Sequence, residues 1–359
     1  MKSMFLHLII LIIISTNLVS QSSRPQEPKK PFNYKVENIT FENKIDSITL
    51  AGTLTYPKVG SNFPAVILIS GSGAQDRNSE LLGHKPFLVI ADYLTRNGIA
   101  VLRVDDRETG QSGGIYNETG LRGFTNDTKF AFDYLKSHKN FQKSKIGLIG
   151  HSLGGVIAPI ISSENEDISF IVLLAGSGIR GDKLMLLQKE TIERKMGVSE
   201  IGINQGQNNL KGAYNIILES NDSRQNLEKE LANYFTGLFG KVLPESQISA
   251  LSKQLSIPWL KDFIKFDPEN FLSKTKCPVL AVNGSNDLQV PPEENLAAIN
   301  DILTKNGNTD FETIQLKNLN HLFQESKTGL PNEYATIEQT FSPQALKVIS
   351  DWILVRTNK

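Results

Sequence analysis

The chain has 359 residues, 39% hydrophobic and 21% charged, and its 38 Lys and Arg balance 38 Asp and Glu, giving a formal net charge of zero. That is long enough for one large domain with a full core and room for a subdomain. The charge balance excludes the basic face of a nucleic-acid binder and the acidic run of a solvating tail, so function has to come from a local site.

In chain order, residues 1–20 read as an export signal: Lys2, an apolar stretch from Met4 to Ile14 broken only by His7, and Leu18-Val19-Ser20 as the cleavage-type end. The apolar core, about 11 residues, falls short of the roughly 20 that a membrane-spanning helix needs. Cleavage near Ser20, a periplasmic or secreted product and no stable membrane anchor are therefore expected, with an uncleaved anchor as the alternative. Residues 21–35 read as a leader, polar and proline-bearing, and therefore flexible. Strands are expected at 36–41, 48–56 and 65–69, a helix at 86–96, a strand at 99–104, a helix at 125–137 and strands at 145–150 and 168–174. The alternation breaks there and resumes with strand 279–282, helix 292–304, strand 311–316 and helix 343–354. Strands separated by helices imply an α/β fold, a mostly parallel sheet with helices on both faces. Residues 36–176 and 277–359 then form the core, and 177–276, rich in Leu, Lys, Glu and Gln at helical spacing, form a helical cap inserted over the strand ends. Cys277, the only cysteine, precedes an apolar run and reads as a buried, inert thiol. No Cys and His cluster has metal-site spacing, so neither metal nor organic cofactor is expected.

The chemistry concentrates at 145–158, KIGLIGHSLGGVIA, where an apolar strand turns at once into a helix. Gly150-His151-Ser152-Leu153-Gly154 matches G-x-S-x-G, in which the glycines relieve crowding and leave Ser152 exposed at the tip. A serine hydroxyl needs a base to take its proton and a third group to orient that base. Of the five histidines, His7 belongs to the export signal, His84 and His138 precede the serine, and His151 should leave the turn in another direction. His321, just beyond strand 311–316, remains as the base. The acid should fall between serine and histidine in sequence, and Asp287, in the turn Asn283-Gly284-Ser285-Asn286-Asp287, has the strand-end platform that aspartates in the insertion lack. Its rival role is to cap that turn. For an oxyanion, the N–H of Leu153 and that of Ser72, with Gly71 close behind, are the expected donors, because 70–73 is the glycine-bearing loop after strand 65–69.

These segments together resemble the α/β-hydrolase superfamily, and within it exported bacterial carboxylesterases: SGSGAQDRN (70–78), VLRVDDRETGQSG (101–113), GLIGHSLGG (147–155), PVLAVNGSNDLQVPP (278–292) and LNHLFQ (319–324). The resemblance implies the α/β-hydrolase fold, with Ser152 as nucleophile, Asp287 as acid and His321 as base. Two departures stand out: Ser70-Gly71 where such esterases often have His-Gly, and Glu108 where many have glycine. Asp105, Asp106 and Arg107 read as a structural ion-pair and turn network. The expected activity is hydrolysis of small-molecule carboxylic esters of short to medium acyl chain through an acyl-enzyme. A serine peptidase or amidase on the same fold is the alternative, and a catalytically dead binding protein the third class. In the insertion Trp259, Phe263 and Phe266 fall at i, i+4 and i+7. Trp259 and Phe263 are expected to wall the substrate pocket, the alternative being an aromatic stripe that only anchors the insertion.

Overall fold

A computed structural model describes residues 24–357, and the proposed export signal lies outside the described residues. Eight strands form one sheet in the order β1-β2-β4-β3-β5-β6-β7-β8. They are β1 (Tyr34–Asn43), β2 (Ile48–Pro57), β3 (Phe63–Ile69), β4 (Ala100–Val104), β5 (Phe141–His151), β6 (Ile171–Leu174), β7 (Val279–Gly284) and β8 (Phe311–Leu316). β1 and β2 pair antiparallel, β2 joins β4 antiparallel, and every pairing from β4 to β8 is parallel. The mostly parallel sheet is thus as expected, its strands starting and stopping within a few residues of the sequence reading.

Period-two alternation of side chains across the pleat explains why such apolar strands are buried on both faces. On β3, Ala65, Ile67 and Ile69 join the core on one side of the sheet, and Val66 and Leu68 the core on the other. On β6 Ile171 and Leu173 face the first side, Val172 and Leu174 the second. Helices α2 (Leu121–Ser137) and α3 (Gly154–Glu164) supply residues to the first core, α1 (Pro86–Arg96) and α11 (Pro343–Thr357) to the second. α10 (Pro292–Lys305) packs between β7 and β8.

Between β6 and β7 lie α4 (Gly181–Lys195), α5 (Glu200–Glu219), α6 (Arg224–Phe239), α7 (Glu245–Leu255), α8 (Pro258–Lys265) and the single turn α9 (Glu269–Leu272). Two of these helices start with an Ncap serine: Ser199 accepts the Gly202 N–H and Ser223 the Asn226 N–H. α8 is tied to the core by Asp262, whose carboxylate accepts the Leu121 N–H at the start of α2 (3.0 Å). That cap uses a first-turn amide that has no partner within its own helix.

One expectation is corrected. From Arg24 onward the leader is docked rather than flexible, because the Arg24 guanidinium finds several carbonyl acceptors at once: Leu82 (2.9 Å), Ile337 (2.9 Å) and Ala335 (3.2 Å). Gln26 then brackets the chain at 340–341, its amide oxygen accepting from Thr340 and Phe341 and its NH₂ donating to the Phe341 carbonyl.

Candidate active site

The strand order reverses between β3 and β5: the chain leaves β3 for β4 on one side and returns to β5 on the other. In open α/β sheets the crevice beyond the carboxyl ends of such a pair is where ligands bind. Both the loop 70–73 and Ser152 lie there, following β3 and β5. The turn at Ser152 is as tight as its glycines suggest. A Cβ on Gly150 would lie 2.0 Å from the Gly154 carbonyl oxygen, and one on Gly154 2.2 Å from that of Ile69. Ser152 itself has φ 54°, a left-handed backbone that a non-glycine residue adopts at a cost in strain. Its N–H is anchored on the Leu174 carbonyl (2.9 Å).

Asp287 performs both roles weighed for it. Its Oδ1 caps the turn by accepting from the Gln289 N–H (2.8 Å) and the Val290 N–H (2.9 Å). Its Oδ2 meets His321 Nδ1 at 2.9 Å, with the carboxylate wholly buried and the imidazole 6% exposed. A carboxylate can only accept, so Nδ1 carries a proton, and in the neutral ring Nε2 is the nitrogen with the lone pair. The His321 loop is held from within by Asn320, whose side-chain oxygen accepts from Leu322 (3.0 Å) and Gln324 (2.9 Å). It is also held from outside by His151, whose Nε2 donates to the His321 carbonyl (2.9 Å) and whose ring lies 4.9 Å from the His321 ring. His151 does leave the turn sideways, and the structure adds its destination: it fastens the His321 loop to the elbow. The remaining described histidines are elsewhere. His84 is buried against Thr340, Tyr334 and Gln324, and His138 stacks on Phe141 at 4.4 Å.

The loop 70–75 is held on a frame centred on Asp106. The Asp106 carboxylate accepts from Ser70 Oγ (2.6 Å) and from the Gln75 N–H (2.9 Å), while the Asp106 N–H donates to the Gln75 carbonyl (3.0 Å). Ser70, which replaces the expected histidine, thus has a partner of its own. Glu108, the second departure, takes φ 66° and uses its carboxylate to accept the Tyr116 N–H (3.0 Å). Tyr116 Oη in turn accepts the Gly73 N–H (2.9 Å), and the Gln75 amide donates to the Ser72 carbonyl (3.1 Å). Among the described residues the Ser72 and Leu153 N–H groups donate to nothing, and both residues line the same cavity as Ser152. Gly71 lies behind Ser152: a Cβ there would stand 3.3 Å from the Ser152 Cβ. Asp105 pairs with Arg77 (2.6 Å), and Arg107 with Asp46 (2.5 Å) and Asp127 (2.6 Å), the ion-pair network expected of that stretch. Cys277 is half-buried, and burial pushes its thiol up to about 12.

The cavity holds about 380 Å³. Its floor is Ser72, Ser152, Leu153 and Ala175, and its roof comes from α4, α5, α7 and α8, including Trp259 and Phe263. Both aromatics predicted as walls are therefore in it. Phe266 is not: it lies past the end of α8 and stacks on Phe271 at 5.3 Å. Residues that the sequence did not single out also line it, among them Gln188, Lys189, Glu193 and Tyr214. Each is an ordinary residue at an ordinary helical position, and only the packing of α4 on α5 brings them together.

Burial, and then the His321 ring beside it, push the His151 imidazole down to about 4. An unfolded histidine titrates near 6.5, so between about 6.5 and 4 the unfolded chain binds a proton that the folded one refuses. The contribution of His151 to stability is therefore lost as pH falls through that window. Asp106 opposes it, because burial raises its carboxyl to about 7 and stability from that group is lost as pH rises. Comparing wild type with His151→Asn cancels the Asp106 contribution. The wild-type Tm should fall more steeply than the variant's between pH 7 and pH 4, and equal slopes would refute the assignment.

Residues 129–235 match the family described as BAAT / Acyl-CoA thioester hydrolase C terminal, a stretch that includes the Ser152 turn. Esterase EstD of Thermotoga maritima is 25% identical over 303 residues, covering 83% of this chain and 64% of EstD. The chain thus spans less than two thirds of that relative. Protein bem46 of Schizosaccharomyces pombe is 29% identical over 155 residues, 43% of this chain and 48% of that protein. Among solved structures, the α/β hydrolase GrgF from Penicillium sp. sh18 matches with a TM-score of 0.54 at 16% identity, over 90% of this chain and all of that one. The esterase Pf2001 of Pyrococcus furiosus matches with a TM-score of 0.52 at 16% identity, over 90% of this chain and 91% of that one. Likeness at such identity establishes the fold.

Proposed function

We propose that this chain, a member of the α/β-hydrolase superfamily, is a serine hydrolase that cleaves carboxylic esters through an acyl-enzyme, with Ser152, His321 and Asp287 as its triad. The observation that carries the reading is the buried Asp287–His321 hydrogen bond, which leaves the lone pair on His321 Nε2, on a loop fastened to the Ser152 turn. Ser152 Oγ attacks the ester carbonyl while His321 Nε2 takes its proton, and the developing oxyanion is met by the Leu153 and Ser72 N–H groups. Collapse of the tetrahedral intermediate expels the alcohol, which takes the proton back from His321. Water then attacks the acyl-enzyme by the same route, returning the acid and free Ser152. No step in this cycle needs a metal or organic cofactor.

A cavity of about 380 Å³ is at the small end of ligand sites and suits an ester of short to medium chain, with Trp259 and Phe263 among its apolar walls. The same attack would open a thioester, and the match at 129–235 favours including that class. The peptidase alternative needs a carboxylate free and sheltered enough to bind an amino terminus; of the two that line the cavity, Glu193 is already paired with Lys189 (2.5 Å) and Glu80 is exposed to solvent. Localisation outside the cytoplasm rests on residues 1–20, and N-terminal sequencing of the mature protein tests it. For the activity, a fluorophosphonate probe should label Ser152. Para-nitrophenyl esters, the matching thioesters and aminoacyl anilides are then compared on the same preparation. Esters turned over at least about tenfold faster than anilides are expected, and anilide preference would move the chain to the peptidases.

A further inference from the structure

The loop that carries the Ser72 donor is thinly packed, so hydrogen bonds rather than apolar burial have to fix it. Ser72 and Ala74 are exposed, and a Cβ on Gly73 would meet nothing within 4 Å. An exposed loop of this kind is free to fray unless its ends are tied, and ordering each residue costs about 1–2 kcal/mol. At its apex Tyr116 Oη accepts the Gly73 N–H (2.9 Å) and the Gln75 amide donates to the Ser72 carbonyl (3.1 Å). The second of these is a tie within the loop, so it holds Ser72 only as firmly as Gln75 is held. Asp106 supplies that hold and closes the loop at both ends. Ser70 Oγ donates to its Oδ1 (2.6 Å), the Gln75 N–H donates to its Oδ2 (2.9 Å), and its own N–H donates to the Gln75 carbonyl (3.0 Å).

Asp106 is a fixed point because its neighbours are. It lies two residues past β4, between Asp105, which holds the Arg77 guanidinium and accepts the N–H groups of Arg77 (2.8 Å) and Gln111 (3.1 Å), and Arg107, which holds Asp46 and Asp127. Asp106 forms no ion pair among the described residues and does not line the cavity of Ser152. It lines instead a smaller cavity of about 50 Å³ shared with Ser70, Gly71 and Leu153, space into which the loop can sag once its tie is cut. We propose that Asp106 is a positioning residue of the oxyanion hole, whose side chain clamps both ends of loop 70–75 and thereby aims the Ser72 N–H at the tetrahedral intermediate. This rests on the ester-hydrolase reading and deepens it. The clamp works by hydrogen bonding rather than by charge. Burial raises the Asp106 carboxyl to about 7. Deprotonated, it accepts from both Ser70 and Gln75; protonated, it still accepts the Gln75 N–H while its own proton goes to Ser70 Oγ, a hydroxyl that can also accept. A primary amide does the same, with its oxygen on Gln75 and its NH₂ on Ser70.

An oxyanion donor meets an oxygen whose charge and position develop only in the transition state, so a loosened loop should lower kcat and leave KM nearly alone. The test compares Asp106→Asn with Asp106→Ala on a small para-nitrophenyl ester, kcat being expressed per active site counted by fluorophosphonate titration. The alanine variant should lose about tenfold or more in kcat, short of the roughly 10²–10³ that removing a donor outright costs, with KM within about threefold of wild type. The asparagine variant should keep at least about a third of wild-type kcat, because it keeps the clamp. A second readout is the Ki of a trifluoromethyl ketone, which forms a tetrahedral adduct with Ser152 and places its oxygen in the oxyanion hole. In Asp106→Ala that Ki should rise in step with the fall in kcat/KM, a coupling that a smaller folded fraction does not produce. A loss below tenfold in the alanine variant, equal damage from asparagine and alanine, or an unchanged Ki overturns the proposal. Should Asp106→Ala not fold, Ser70→Ala removes one of the two side-chain ties, and an unchanged Ki in that variant overturns the proposal equally. If instead wild type cleaves no ester and Ser152 is not labelled by the fluorophosphonate, it is the underlying reading that fails.

Discussion

Ser152→Ala should lower kcat for any ester that the protein hydrolyses by about four orders of magnitude or more, with the fold intact. The size follows from triad members acting as a unit, so that removing the nucleophile alone forfeits most of what the assembly contributes. The fold should survive because the Ser152 hydroxyl makes no hydrogen bond among the described residues, while the backbone is held by the Leu174 carbonyl and by close packing at Gly150 and Gly154. Alanine keeps the Cβ and accepts the φ of 54° about as readily as serine does. Steady-state kinetics beside a thermal melt check both halves. A purified variant that retains a tenth of wild-type kcat would end the assignment of Ser152.

Much of this site is legible in the sequence because its parts are local. Gly150 and Gly154 are needed where a strand turns into a helix within a few residues, so the turn announces itself without any long-range information. Asp287 and His321 are legible because both follow strands, and an α/β sheet gathers its strand ends on one edge. The cap is another matter. Trp259 and Phe263 were visible as an aromatic pair at helical spacing, but Phe266 belongs to the same pattern and falls outside the wall, since the helix ends at Lys265. Lys189, Glu193 and Tyr214 gave no signal, because an i,i+4 ion pair and a tyrosine are unremarkable on any amphipathic helix. Their place in the cavity wall comes from which face of α4 is set against α5, and that depends on packing such as the contact of Lys189 with Gly206, where a Cβ would lie 2.4 Å from Nζ. The docking of Arg24 was hidden for the same reason: its acceptors are carbonyls at 82, 335 and 337, and carbonyls leave no trace in a sequence.

Asp287→Asn is expected to cost roughly 10⁴-fold in kcat, and the reason lies in which atom of the new amide faces His321. Oδ1 of Asp287 accepts two backbone N–H groups, from Gln289 and Val290, and those donors are fixed by the turn. In the variant only the amide oxygen can take that place, since an NH₂ there would oppose two N–H donors and leave them unpaired in a buried site. The NH₂ must therefore point at His321 Nδ1, where the carboxylate oxygen stood at 2.9 Å. A donor there forces Nδ1 to accept, which moves the imidazole proton to Nε2 and removes the lone pair that has to take the Ser152 proton. The fold should change little, because the turn keeps both of its amide hydrogen bonds. Asp287→Ala separates the two roles: it frees His321 from any imposed tautomer but leaves the Gln289 and Val290 N–H groups without an acceptor, so it should lower stability by about 1–3 kcal/mol while costing less in kcat than the asparagine variant. Should Asp287→Asn retain kcat within tenfold of wild type, with the melt unchanged, Asp287 is a turn cap alone and the acid that orients His321 must be sought elsewhere.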